Sequence, residues 1–481
     1  MGGSVGDAVA RRWRTAAHGF ALLAGGLLAV FLLGIPVQLS DSLANLLPFP
    51  DASLAEIVRR GFQPGPYLRP FLTGLLKLVF DLSGGHYFAW FRGFQAIQVV
   101  ALLVLVVRIL GPRTLWGASL VPLALAALLG MHTFAGTVRE AFPINTFLTI
   151  LLCCAGAASL SESRSRPVVD LAAVLLLIFA MLTVETGLLV WVVFVVAWLI
   201  GARGVSRRGM VALTVCLAGY FVFRFVILGG ATPGLSERDS GFGLSTYGGD
   251  DLARMFGNNP MLFYAYNVTS AMATVLFAEP RGGVWAAVRD ALSGDLRWWQ
   301  IINVLTSVLT TSLIARHVVS RWRHWRQGLV DDDDRLVLLF LALLPANALF
   351  AYAYAKDVIM SPAGLFYALA AYAAVKSAAE SAAGKVTLRS ISVVVCLALV
   401  ACGWSVRFVG LHYNLRQRAA SVRDEWAYFS DWQREQGPSE MLVTPTHRRI
   451  RDSLYEDAIR RTPKPPALAL SWADEIFDRS Q

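Results

Sequence analysis

The sequence predicts an all-α polytopic membrane protein: a bundle of about eleven transmembrane helices, within a range of roughly ten to thirteen, with loop helices on the outer side and a small extracytoplasmic C-terminal region. Three observations carry this expectation. Of the 481 residues, 56% are hydrophobic and only 16% charged, and the mean hydropathy is +0.54, against roughly 45–50% apolar and 25% charged residues in soluble domains. This excludes a soluble enzyme. Apolar runs recur at lengths near the roughly 20 residues that a helix needs to cross a bilayer. Finally, the basic residues behind the net charge of +10 gather in short clusters flanking apolar runs, such as Arg11, Arg12 and Arg14, or Arg203, Arg207 and Arg208. Such clusters mark cytoplasmic ends of spans rather than a nucleic-acid partner.

The first apolar run, Ala16 to Val37, follows a basic start as a signal peptide would, but it is long and has no small-x-small cleavage pattern before Ser40. It reads as a retained first span with a cytoplasmic N-terminus. It delivers residues 37–87 to the outer side. There, Asp51 to Arg60 fits a short polar helix, Pro64, Pro66 and Pro70 punctuate the chain, and Tyr67 to Leu82 shows helical apolar spacing interrupted by Lys77 and Asp81, as in a helix lying on the membrane surface. A second span runs from Phe88 to Leu110. A third starts at Leu115 and emerges near Met131 and His132, and a second outer loop then carries Arg139 and Glu140. The fourth, Phe142 to Leu160, returns to Arg164 and Arg166.

The run Val168 to Ile200 is too long for one comfortable span and holds Glu185 near its middle. Because both of its ends are basic, both belong in the cytoplasm, so it folds as two short spans with Glu185 at the outer turn. A continuous helix would bury that carboxylate at considerable cost. The next span, Val211 to Leu228, opens into a large outer segment, residues 229–299. Its apolar stretch Met261 to Phe277 reads as a re-entrant or surface helix, since a full crossing would place Arg316, Arg321, Arg323 and Arg326 outside; a true span is the rival reading.

Leu336 to Tyr354 and Val358 to Val375 form another hairpin, with Lys356 and Asp357 at its outer turn. The aspartates from Asp331 to Asp334 read as a solvated helix-capping run, because adjacent carboxylates on a helix start point in different directions and make a poor ligand set. The last span, Ile391 to Val409, closes a transmembrane domain over residues 1–409 and leaves 410–481 outside, with Trp426, Tyr428 and Trp432 available for packing. The cysteines Cys153, Cys154, Cys216, Cys396 and Cys402 lie in apolar runs with no His spacing typical of a metal cage, and read as small buried hydrophobes.

In this topology the ionisable residues Asp41, Arg69, His86, Arg139, Glu140, Glu185, Lys356 and Asp357 all fall at outer ends of spans. Ionisable groups there are functional candidates. Asp41 has a second reading, as the N-cap of a helix starting at Ser42. In the large outer segment, Tyr247, Asp250, Asp251, Asn258, Asn259 and Tyr264 offer groups for acceptor recognition, beside the alternative of a glycine-rich flexible loop. The sequon Asn267-Val268-Thr269 lies in an apolar stretch and reads as accidental.

Three stretches carry a resemblance to a known family. Pro66-Tyr67-Leu68-Arg69-Pro70-Phe71, continuing through Phe80-Asp81-Leu82-Ser83-Gly84-Gly85-His86, resembles the first-loop block of the C-type (GT-C) membrane glycosyltransferases, especially the branch of protein mannosyltransferases and their tetratricopeptide-tailed relatives. Leu182-Thr183-Val184-Glu185-Thr186-Gly187 is similar to that family's "SKET" turn. Tyr354-Ala355-Lys356-Asp357 through Ser361-Pro362-Ala363-Gly364 is similar to its "ERYLYLPSIG" block. The family's His-Pro-x-x-x-Glu loop appears only as Met131-His132-Thr133 with Glu140 farther on, and the tail shows no tetratricopeptide period.

The resemblance implies a GT-C-like bundle in the plasma (inner) membrane that takes a sugar from a polyprenyl-phosphate donor and passes it to a glycan, lipid or protein acceptor. It implies Asp41 as catalytic base, with Glu140 supplying the second carboxylate that many members carry beside the first. Arg69, Arg139 and Lys356 would stabilise the leaving phosphate, and His86, Glu185 and Asp357 would line the substrate site. No cofactor is expected, although a divalent cation held by oxygen ligands fits the chemistry. Two other classes stand beside this reading: a flippase or transporter of lipid-linked glycans, and a non-catalytic subunit of an envelope-assembly complex. Charges clustered outside, rather than along a path through the bilayer, favour chemistry over transport.

Overall fold

The computed structural model of the chain describes residues 2–64, 67–142, 146–230, 249–257, 261–277, 284–352, 357–382, 388–436 and 444–461. All regular structure among them is helical. Helix α1 (Gly2–Leu32) is followed by three short helices: α2 (Ser40–Leu46), α3 (Leu54–Arg60) and α4 (Pro70–Ser83). Ser53 caps α3 by accepting the Glu56 N–H at 3.2 Å. Pro70 opens α4 at a position where its missing N–H costs nothing, and Gly84 at φ +55° ends it.

α5 (Tyr87–Leu110) is the second long apolar helix. α6 (Leu115–Ser119) and α7 (Val121–Leu129) follow, and the chain then bends by 67° into α8 (His132–Arg139). Gly130 makes the bend feasible: a Cβ there would lie 2.7 Å from the Ala126 carbonyl and 3.0 Å from the backbone of Phe408. Thus the helix expected as the third span stops at Leu129 and bends into α8, and the loop expected to carry Arg139 is largely helical.

The remainder comprises α9 (Thr146–Ser161), α10 (Pro167–Met181), a 3-10 turn at Glu185–Leu188, α11 (Leu189–Leu199), α12 (Arg207–Phe221) with a π-turn at Val222–Ile227, α13 (Gly249–Phe256), α14 (Met261–Phe277), α15 (Val284–Ser293), α16 (Trp298–Arg326), α17 (Asp332–Phe350), a 3-10 turn at Asp357–Met360, α18 (Ser361–Ala382), α19 (Leu388–Gln436) and α20 (Pro445–Arg461). Among the described residues, six helices are long and apolar enough to cross a membrane, or seven counting the bent one. Other expected spans are occupied by the shorter apolar helices α9, α10 and α11.

Contacts sort the connections into two ends. At one end Arg113 meets Asp332 at 3.1 Å, Glu162 meets Arg335 at 3.0 Å and Lys376 meets Asp333 at 2.7 Å. Asp170, at the start of α10, accepts from the backbone and hydroxyl of Ser206, just before α12. The run from α10 to α11 therefore doubles back, with Glu185 at the far end. The Lys376–Asp333 pair shows the same of α17 and α18, so the 3-10 turn at Asp357–Met360 also lies at the far end.

The run at Asp331 departs from its reading as a solvated one at its last member, while Asp331 and Asp332 are exposed. Asp331 does cap α17, accepting the Asp334 N–H at 2.8 Å, but Asp334 is 0% exposed. It is held by Arg321 at 2.7–3.2 Å and His317 at 3.1 Å. A buried carboxylate needs such partners, and here they come from α16 rather than from water.

α14 starts beside the turn that follows α17, where Asn267 donates to the Tyr352 carbonyl at 2.9 Å. Its C-terminal Leu276 accepts from Thr311, 13 residues and so about 20 Å along α16 from Trp298. The helix therefore runs from beside the end of α17 to a level near the middle of α16. Asn267 is fully buried, in keeping with an accidental sequon.

α19 continues without a break through residue 409. At about 1.5 Å per residue it is far longer than the roughly 30 Å hydrocarbon core, so its C-terminal half leaves the bundle. Trp426 donates its indole N–H to the Val37 carbonyl at 2.7 Å, and Ser453 of α20 donates to Gly85. Ile450, Leu454 and Ala458 share one apolar cluster with Phe49, Phe80, Phe88 and Phe91. The tail and the segment between α1 and α5 thus pack together as one cap at the end of the bundle that bears Glu185.

Candidate functional site

The sequence-distant charges at that end are assembled by two joints. The first centres on Arg92, on α5, which is 0% exposed. Its Nε donates to Ile35 O (2.8 Å), Nη2 to Pro36 O (2.8 Å) and Arg139 O (3.0 Å), and Nη1 to Val138 O (3.1 Å) and Gln95 Oε1 (2.6 Å). Gln95 in turn donates to Thr137 O (3.0 Å), Val138 O (3.4 Å) and Glu140 O (2.9 Å). Gln38 and Ser42 both donate to Phe142 O, at 2.6 and 2.7 Å, and Gln38 accepts the Ala141 N–H at 3.0 Å.

These bonds lay residues 35–42 against residues 137–142. α2 begins at Ser40 with Leu39 at its cap, so residue 41 lies in the first turn rather than at the N-cap, which corrects that reading. Its backbone runs beside the chain at Phe142; the Asp41 side chain lies outside the described residues. The Glu140 carboxylate is largely buried and 3.3 Å from Arg139 Nη2.

The second joint centres on Glu185. Arg69 donates from Nε (3.0 Å) and Nη2 (2.5 Å) to Glu185 Oε2, with its guanidinium 4.1 Å from the centre of the Tyr67 ring. Arg224 Nη1 lies 3.6 Å from Glu185 Oε1 and donates to Tyr220 Oη at 2.9 Å. Arg224 sits in the π-turn, a rare widening of a helix found often at functional sites. The position of Glu185 is set by Gly187, where a Cβ would lie 2.1 Å from the Ala180 carbonyl. The Phe71 N–H, donating to Leu182 O at 3.0 Å, ties α4 to the same turn.

A third pair joins α8 to the turn before α18: His132 Nε2 is 3.7 Å from Asp357 Oδ1, with the imidazole buried. Close packing of Gly136 on Val358 and of Gly364 on Thr133 holds these segments together. His86 is exposed, at the cap position of α5. Lys356, Tyr247, Asn258 and Asn259 lie outside the described residues. Asp250 is exposed on α13, Asp251 pairs with Arg254 of the same helix, and Tyr264 packs edge-on against Tyr352 at 4.9 Å.

Arg92, Gln95, Gln38, Arg224 and Tyr220 are members of these clusters that sequence reasoning did not single out. Arg92 and Arg224 carried a usable signal, since each is a lone charge inside an apolar run, the same property that drew attention to Glu185. Chemically, the end of the bundle offers carboxylates able to accept a proton and guanidiniums able to hold an anion. Compared with protein-family models, curated proteins and solved structures, the chain matches none.

Proposed function

We propose that the protein is a membrane glycosyltransferase of the GT-C type. In this reading it crosses the plasma (inner) membrane about eleven times, with a cytoplasmic N-terminus and an extracytoplasmic C-terminal cap. It moves a sugar from a polyprenyl-phosphate donor to a glycan, lipid or protein acceptor on the outer side. The observation that supports this most is that the segment bearing Asp41 is bonded to the segment bearing Glu140, at the end of the bundle where Arg69 and Arg224 flank Glu185. Acid–base and anion-binding groups gathered at one end of the bundle suit chemistry on a lipid-linked substrate better than a path of charges through the bilayer would.

Asp41 takes the proton of the acceptor hydroxyl as its oxygen attacks the anomeric carbon. The bond from that carbon to the phosphate oxygen breaks, and its electron pair leaves with the lipid phosphate. Guanidiniums from Arg69, Arg139 and Arg224, with Lys356, are the groups to bind that growing charge, and Glu140 supports the base. General-base removal costs about 10²–10⁴-fold in rate, so Asp41→Asn and Glu140→Gln, reconstituted in vesicles with polyprenyl-phosphate sugars, lose transfer by that order while folding normally. Full activity in Asp41→Asn removes that residue from the mechanism. Mass spectrometry of envelope glycans in cells with and without the protein tests the class: an unchanged glycan profile with altered sidedness of lipid-linked precursors replaces transfer with flipping.

A further inference from the structure

We propose that Arg92 is a positioning residue of this site: a sequestered cation that caps α8 from outside and thereby sets where Glu140 stands relative to the segment of Asp41. For its consequence on transfer the inference rests on the glycosyltransferase reading; the joint itself does not.

The argument starts from the end of α8. The last carbonyls of any helix have no partner within it, and α8 ends at Arg139 just after the fully buried Thr137 and Val138. Arg92 and Gln95, one turn apart on α5, supply them: between them they donate to the carbonyls of Thr137, Val138, Arg139 and Glu140. A cation at a helix C-terminus also complements the helix dipole. The same guanidinium reaches Ile35 O and Pro36 O, where the chain has left α1 and its carbonyls enter no helix ladder.

All five N–H groups of the guanidinium are thus used: four on the backbones of two segments more than 100 residues apart and the fifth on Gln95. Glu140 is the first residue beyond α8, so its direction is fixed by how that helix ends. It also interacts electrostatically with Arg92. Lysine, with three donors on a point charge, cannot reproduce a planar five-donor fork.

The test uses the full chain in lipid nanodiscs. Spin labels at Ala44→Cys on α2 and Ala135→Cys on α8, with the native cysteines replaced, report the distance between the two segments by pulsed electron resonance. With Arg92 in place the distribution is narrow. Arg92→Met, which keeps a long buried side chain without N–H groups, broadens it; Arg92→Lys and Gln95→Leu fall between, and serve alone should Arg92→Met not fold.

Transfer follows the same order. Misplacement on the scale of an ångström costs about 10²-fold, so kcat in Arg92→Met falls by about that factor with donor KM within about twofold, and Arg92→Lys recovers part of it. An unchanged distance distribution in folded variants overturns the proposal without reference to activity. Broadening with transfer at the wild-type rate overturns the positioning role and leaves the transferase reading intact. Broadening in a protein that transfers no sugar even with Arg92 present sinks the transferase reading, and with it the catalytic half of the proposal, while upholding the joint.

Discussion

Glu185→Gln replaces the carboxylate held between Arg69 and Arg224 with a neutral group of the same shape. Arg69 makes two N–H bonds to Oε2, at 3.0 and 2.5 Å, and the two side chains are 30% and 20% exposed. Hydrogen bonds to a charged group contribute about 1.5–3 kcal/mol. Partial exposure discounts that toward its lower half, so a coupling of about 1.5–2 kcal/mol is expected between positions 69 and 185. Arg224 approaches only to 3.6 Å, without a hydrogen bond to the carboxylate, and its coupling is expected near the 0.2–1 kcal/mol of ion pairs of that kind. Double-mutant cycles of Glu185→Gln with Arg69→Met and with Arg224→Met, read by reversible unfolding in mixed micelles, separate the two. The glutamine variant also removes the negative charge that Arg69 bonds, so added pyrophosphate should raise its melting temperature more than that of the parent protein. Additivity of positions 69 and 185 within about 0.3 kcal/mol, or a larger coupling at 224 than at 69, refutes the reasoning.

At the opposite end, burial alone raises the Asp334 carboxyl, but hydrogen bonds from Arg321 and the Asp331 backbone outweigh it and hold the group below the usual aspartate value. Such a group adds stability above its unfolded value, about 3.9, and loses it as pH falls through the folded one; the acid limb of thermal stability should therefore flatten in Asp334→Asn. Arg321→Met removes the permanent cation beside that carboxylate, leaving it His317 and the Asp331 N–H, and should cost about 3 kcal/mol at neutral pH, measured by the same unfolding. Trp426→Phe removes the bond to Val37 and should cost about 1 kcal/mol, whereas Trp426→Ala should cost about 3–5 kcal/mol and expose α20 to limited proteolysis. A C-terminal tag should be inaccessible from the cytoplasm in intact cells, while a tag inserted beside Asp331 should be accessible; the reverse pattern inverts the proposed topology.

What was legible in the sequence was set by charge at the ends of apolar runs. Basic residues at both ends of Val168 to Ile200 required a hairpin, and the break at Glu185 lies where that argument put it. The same reasoning placed Asp357 at a turn. Less was legible where geometry depends on contacts distant in sequence. Nothing local in Met131-His132-Thr133 announces a 67° bend, which is enabled by Gly130 fitting against α19. Nor does Val222–Ile227 differ in composition from the helix before it, yet it widens into a π-turn that brings Arg224 to Glu185. At Asp334 the sequence offers only a run of carboxylates at a helix start, which reads as solvated; its neighbours in space are Arg321 and His317.

Arg92 shows why a lone charge in an apolar run admits two physical solutions. A carboxylate such as Glu185 finds cations, because it accepts only and the backbone offers it few free donors inside a bundle. A guanidinium donates only, and unpaired carbonyls are plentiful wherever a helix stops inside the protein. Irregular backbone at membrane depth is tolerated only when the surrounding protein satisfies it. A helix broken at Gly130 and ended at Arg139 therefore creates a demand for donors that an arginine on a neighbouring helix, with a glutamine three residues later on the same face, can meet. On this argument Gln95→Leu should be costly despite replacing a polar group by an apolar one, because it strands acceptors rather than removing a charge. About 1–3 kcal/mol per unsatisfied group is expected. Truncating Gln98, on the same helix but bonded to the Thr149 hydroxyl at 2.7 Å, should cost less, since that hydroxyl can rotate to another acceptor or donor while a helix-end carbonyl cannot.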